Sequence, residues 1–174
     1  MNEKIFVLAA VAAAQIVLFD GTATGASAAG LTKHQIENAR YIVPSIGEPP
    51  DDHLTLKNGE GKLATTTVGV TQSVGGMIGT PPQTGGAAVI YENTGGSGDF
   101  MFVEALVLNG GKVKAVAYKS LGDRSVVNKL SIKDGQIILD MLAHGPHDSA
   151  VEPTMHRVVH YKFVKDKLIG PDVE

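Results

Sequence analysis

Two neighbouring stretches decide the fold: GGAAVIYENTGGSGDFMFVEALVLNGG, Gly85–Gly111, and KSLGDRSVVNKLSIKDGQIILDML, Lys119–Leu142. In the first, Ala87 to Tyr91 is an apolar run, Asn93 to Gly98 is a cluster of turn formers, and Phe100 to Leu108 is apolar everywhere except Glu104. A run that is apolar on both alternating faces predicts a strand buried on two sides. Asn109-Gly110-Gly111 turns it back into Val113–Tyr118. Asn-Gly and Gly-Gly both suit a two-residue turn, so the register there stays open. The second stretch is more definite. With Asp134-Gly135 as the turn, Ile132 faces Ile137, Leu130 faces Leu139 and Asn128 faces Met141, while Lys129 lies opposite Asp140 on the other face.

Working outward, Leu31 to Tyr41 is the one convincing helix. Thr32 and Gln35 have the spacing of a capping box, Leu31 and Ile36 that of a hydrophobic staple, and Ile36, Ala39 and Tyr41 would face the sheet. Pro44 forces Val43 out of helical conformation and ends the element there. Ser45 to Asp52 is a Pro-rich crossing, Leu54–Lys57 a short strand, Asn58-Gly59 a hairpin turn and Leu63–Val74 a Thr- and Val-rich strand. Gly75 to Gly86 holds five glycines and two prolines and is expected to form a long mobile loop. Towards the end, His156–Val164 is a strand with Val159, Tyr161 and Phe163 on one side, and Lys165-Asp166-Lys167 turns the chain into Leu168-Ile169. The expected fold class is mainly β (α+β): a single antiparallel meander sheet, curled on itself, with one short N-terminal helix.

The first thirty residues read as an address. Lys4 precedes an apolar run from Ile5 to Phe19, and Ala26-Ser27-Ala28 supplies the small-x-small pattern of a leader-peptidase site. The apolar run falls short of the ~20 residues a spanning helix needs. Residues 1–28 are therefore expected to be a signal peptide and 29–174 a single exported β-rich domain, periplasmic or secreted, with no membrane contact once the leader is gone. The chain has no cysteine, which excludes a lipid-modified leader and requires the domain to hold together without disulfides. At 43% apolar and 19% charged residues it is globular. A net charge of −3 gives no general basic character that would suggest a nucleic-acid partner, and the absence of Trp argues against a stacking platform for bases.

The sites that could carry chemistry are few. His144, His147, His156 and His160 have zinc-like spacing, but four residues of strand hold the last pair ~13 Å apart, so no metal or other cofactor is expected. Ser97 sits in a strand–strand turn and not on the strand-to-helix elbow of a serine hydrolase, so no catalytic residue is assigned. Glu104 is the informative residue. A carboxylate in the middle of an apolar strand needs a partner or a cavity. Arg124 is the expected partner in a structural ion pair that pins the turn at Leu121–Arg124. The alternative is a ligand site in which Glu104 and Arg124 converge with His144 and His147 on one pocket.

The order of NTGGSGDF (93–100), VLNGGKV (107–113), SLGDR (120–124), LSIKDGQIILDMLAHGP (130–146) and EPT (152–154), with Ala39-Arg40-Tyr41-Ile42-Val43-Pro44 upstream, resembles a family of small exported bacterial proteins of unknown function. The resemblance implies an exported β domain and no particular chemistry. Relatives carry an acidic, calcium-suited loop where this chain reads Thr80 to Gly86 without a carboxylate, and cysteines where it reads Ser149-Ala150-Val151-Glu152. The expected function is a non-enzymatic domain that binds another envelope component or protein. The alternatives are a small-ligand binder or hydrolase built on Glu104, Arg124 and the His144/His147 loop, and an inhibitor of a cell-wall-degrading enzyme. Oligomeric state is not legible.

Overall fold

The computed structural model describes residues 30–44 and 51–173. The leader expected over residues 1–28 and most of the Pro-rich crossing lie outside the described residues. The described chain is mainly β: α1 (Lys33–Glu37), β1 (Arg40–Val43), β2 (Asp52–Thr55), β3 (Glu60–Leu63), β4 (Thr66–Ile78), β5 (Gln83–Asn93), β6 (Phe100–Asn109), β7 (Lys112–Asp123), β8 (Val126–Lys133), β9 (Gln136–Ala143), β10 (Met155–Val164) and β11 (Lys167–Ile169). No helix among the described residues is long and apolar enough to cross a membrane.

The expected single meander is corrected to two sheets. Seven strands form sheet A in the order β2-β1-β7-β6-β5-β4-β3, and four form sheet B in the order β11-β10-β9-β8. Sheet A is mixed, because β1 meets β7 in parallel at Arg40 and Lys114. Its two edges nearly close: a Lys57–Glu60 bridge carries the β2 side directly into β3 through the Asn58-Gly59 turn. Both turn residues sit at positive φ, 53° and 84°, as a tight primed turn requires. The result is a small, almost closed barrel.

The doubly apolar pattern of β6 now has its cause. One face of sheet A lines the barrel interior, where Ile36, Tyr41, Leu56, Val68, Ala88, Ile90, Phe102 and Leu106 pack. The other face packs on sheet B, where Val89, Val103 and Ala105 meet Leu139, Met141, Tyr161 and Phe163. Met101 through Val107 are consequently all buried. The central hairpin resolves with Gly110-Gly111 as its turn, pairing Asn109 with Lys112.

The Asp134-Gly135 hairpin has the expected Ile132–Ile137, Leu130–Leu139 and Lys129–Asp140 pairs. A bulge at Asn128 then shifts the register, so Val127 and not Asn128 faces Met141. Asp140 accepts hydrogen bonds from Asn128 Nδ2 (3.2 Å) and meets His156 Nε2 at 2.9 Å. β8 is an edge of sheet B, and Gln72 of β4 covers part of it. The Gln72 side-chain amide donates to the Val127 carbonyl and accepts from the Leu130 N–H.

Two elements differ from expectation. The helix is only five residues long: the Thr32–Gln35 capping box forms, but Asn38 caps the C-terminus, and Arg40 begins a strand well before Pro44. β-branched Ile42 and Val43 with Tyr41 suit a strand, and the place between β2 and β7 takes them. The expected Gly75–Gly86 loop is instead the long ends of β4 and β5, joined by a four-residue turn at 79–82. These glycines mark close backbone approach and not mobility. A Cβ on Gly75 would lie 1.8 Å from the Leu31 carbonyl oxygen, where the chain entering α1 crosses the sheet.

Gly75→Ala is therefore expected to destabilise the domain by about 1–3 kcal/mol through forced backbone displacement. Gly96→Ala, at a turn position with nothing within 4 Å, should leave a urea melt unchanged. Equal melts for the two variants would contradict this packing.

Candidate functional site

The barrel has two unlike ends. At the helix end, α1 lies across the opening, held by Leu31 N–H to Gly85 O (3.0 Å), Gly59 N–H to Glu37 O (2.8 Å) and Tyr41 OH to Ile36 O (3.0 Å). At the far end β1 finishes at Val43, β2 starts at Asp52, β3 and β4 meet at Leu63–Thr66, and β5 brings Glu92 opposite Val68 and Phe100.

Glu104 points into the interior between these ends. It shares its face with Phe102, Leu106 and its cross-strand partner Tyr118, and it is fully buried. Its Oε2 accepts from the Ile42 N–H at 3.1 Å, and its Oε1 has no partner among the described residues. Arg124 does not reach it. The expected Glu104–Arg124 ion pair is corrected: the guanidinium binds Asp123 (2.7 Å), the Ala150 carbonyl (2.6 Å) and the Ser97 carbonyl (2.9 Å). The reason lies in the register. β6 and β7 pair Glu104 with Tyr118 but Phe100 with Asp123, which places Arg124 about four strand residues away, roughly 13 Å along the sheet.

Arg124 thus clasps three loops together, and one of them, the 144–154 connection, carries His144 and His147. That loop is organised by Asp148, which accepts from the Gly145 N–H (2.8 Å), the Thr154 N–H (2.7 Å) and the Thr154 hydroxyl (2.6 Å). These bonds, led by the Thr154 hydroxyl, hold its carboxyl down at about 2. Of the four candidate residues, then, Arg124 is tied to the loop of His144 and His147, while Glu104 faces the barrel interior.

Sequence reasoning missed a second interior carboxyl. Glu92 is 1% exposed, with its Oε1 unpartnered among the described residues. Burial, helped by the Asp51 charge, pushes it up to about 8. Glu104 lies well above the ordinary carboxylate value, mainly through burial, against the pull of the Ile42 N–H and with the Glu92 and Asp51 charges adding. The Tyr118 hydroxyl, across the strand from Glu104, donates to Asp51 Oδ1 at 3.3 Å. The signal for Glu92 was available in YEN at the end of an apolar strand, but a strand's last polar residue ordinarily reads as solvated.

The helix end has the opposite character. A groove of about 710 Å³ runs between α1 and the β6–β7 hairpin, lined by His34, Gln35, Asn38, Arg40, Thr55, Asn109, Gly111, Lys112, Val113 and Lys114. Arg40 and Lys114 are register partners, and Lys112 sits two residues along the same strand face. No side-chain partner holds Arg40, Lys112 or Lys114 among the described residues. Comparison of the chain with family models, with curated proteins and with solved structures gives no match. The functional reading therefore rests on these two ends.

The buried carboxyls make stability depend on pH. Both bind protons more tightly when folded than when unfolded, so their contribution is full in acid and declines with rising pH: that of Glu92 is lost as pH rises through about 8, and that of Glu104 falls in the same direction. Glu92→Gln should flatten the fall in melting temperature between mildly acidic and mildly alkaline buffer, and adding Glu104→Gln should flatten it further. An unchanged slope in the double variant would contradict the assignment.

Proposed function

We propose that the chain is an exported binding domain, periplasmic or secreted, that engages an anionic component of the cell envelope through the groove at the helix end. One observation carries this reading: the segregation of charge. The chain has 18 acidic and 15 basic residues, yet among the described residues the groove lining holds three Lys or Arg, one His and no carboxylate. Unpaired cations beside amide side chains suit phosphate or carboxylate groups. Arg supplies a planar fork and Lys a mobile point charge, while Gln35, Asn38 and Asn109 supply neutral hydrogen-bond partners. Such a patch also steers an anionic partner on approach. The leader-like N-terminus and the resemblance to small exported proteins support the compartment.

Inorganic polyphosphate is a suitable soluble probe for calorimetric titration of the full chain. With three cations in contact, affinity should fall on the order of tenfold between about 50 and about 200 mM salt. The Arg40→Gln/Lys112→Gln/Lys114→Gln variant should lose binding while keeping its melting temperature. Undiminished binding by that variant, or binding indifferent to salt, overturns the reading.

A further inference from the structure

At the far end of the barrel a hollow of about 250 Å³ is lined by Val43, Pro44, Asp52, Leu63, Ala64, Thr66, Glu92 and Thr94. Among the described residues its polar groups are two carboxyls and two threonine hydroxyls, and no Lys, Arg or His lines it. The remaining wall is aliphatic. One of the carboxyls, Glu92, is almost wholly buried and leaves an oxygen without a hydrogen-bond partner among the described residues. A buried polar atom left unpaired costs about 1–3 kcal/mol, so a site that keeps one needs a reason. By liquid volume the space holds about eight waters.

We propose that this hollow is a second binding site, which takes a primary ammonium group carried on a short aliphatic body. The ammonium has three donors and no acceptor, matching Glu92, Asp52 and the Thr66 and Thr94 hydroxyls, all of which can accept. The aliphatic body packs on Val43, Pro44 and Leu63. A guanidinium needs a planar fork of acceptors, which one buried and one exposed carboxyl on different strands do not offer. The site stands apart from the cationic groove, at the opposite end of the barrel, and does not depend on that groove's reading.

Binding exchanges one cation for another. A protonated Glu92 releases its proton to solvent as the ammonium arrives, and the resulting carboxylate pairs with the new charge. Among the described residues, the ionisable groups facing Glu92 are Asp51 just before β2, Asp52 at its start, Glu104 from β6 and Tyr118 from β7. β3 and β4 contribute Leu63, Ala64, Thr66 and Val68, none of which titrates. Every charged group in this set is acidic, so the field favours a cation throughout.

The test titrates n-butylammonium chloride into the full chain and follows backbone amide resonances. Saturating shifts are expected at Val43, Leu63, Thr66 and Thr94, with affinity rising up to tenfold per pH unit until pH is near the Glu92 value of about 8. Neutral n-butanol should give no saturating response. Glu92→Gln keeps the shape and should weaken binding at least tenfold. Asp52→Asn, at an exposed position, should weaken it several-fold, and it serves as the readout if Glu92→Gln does not fold. The Lys112→Gln/Lys114→Gln variant should bind as the parent does. Absence of saturation at any pH, a flat pH profile, an equal response to n-butanol, or full affinity in both carboxyl variants overturns the proposal.

Discussion

The structure depends on one constraint: β5 and β6 are covered on both faces. Ala87 to Ile90 and Met101 to Val107 are buried without interruption, half of them towards the barrel interior and half towards sheet B. A strand in that position can carry no exposed alternation, and each side chain must fit one of two different interiors. With about 25 cal/mol gained per Å² of apolar surface removed from water, this shared pair of strands contributes to both cores at once. Without it the barrel interior loses part of its wall and sheet B loses the surface it packs against. That is how a chain with no disulfide and a single five-residue helix holds eleven strands among its described residues in one body.

The same constraint explains why Glu104 is unusual. A residue between Met101 and Val107 of β6 has no route to solvent, so a carboxyl there can only be neutral, hydrogen-bonded or matched by a ligand charge. The Ile42 N–H supplies one partner, and it does so because β1 lies beside β7 with its backbone turned towards the interior. Acidic groups therefore gather inside and at one end of the barrel, while the unpaired cations gather at the other. A small closed sheet makes such polarity easy, since its two mouths are lined by opposite ends of the same strands.

Much of the fold was legible in the residues. Primed turns at Asn58-Gly59, Gly110-Gly111 and Asp134-Gly135 are set by φ > 0 at both positions, a local matter that sequence reports well. The alternation of Val159, Tyr161 and Phe163, and the Thr32–Gln35 box, are local too. What escaped were long-range facts. Gly75, Gly76, Gly85 and Gly86 looked like a flexible connection because composition cannot separate glycines that bend from glycines that make room. The division into two sheets depends on which face of β6 each neighbour covers, and no short window holds that. The apolar run marks Glu104 as needing a partner or a cavity, but it does not name the partner, because the register, not the charge inventory, decides who can reach it.

Gln72 has a wider meaning for how the molecule behaves in a crowded compartment. A strand at the rim of a sheet offers a row of free peptide groups, a template on which another chain can build. Here one side-chain amide, raised by a β4 bulge, occupies both a carbonyl and an N–H of β8 and so imitates the neighbour that is missing. The imitation comes from within the same chain. It occupies the rim at Val127 and Leu130, where an added strand would have to displace it.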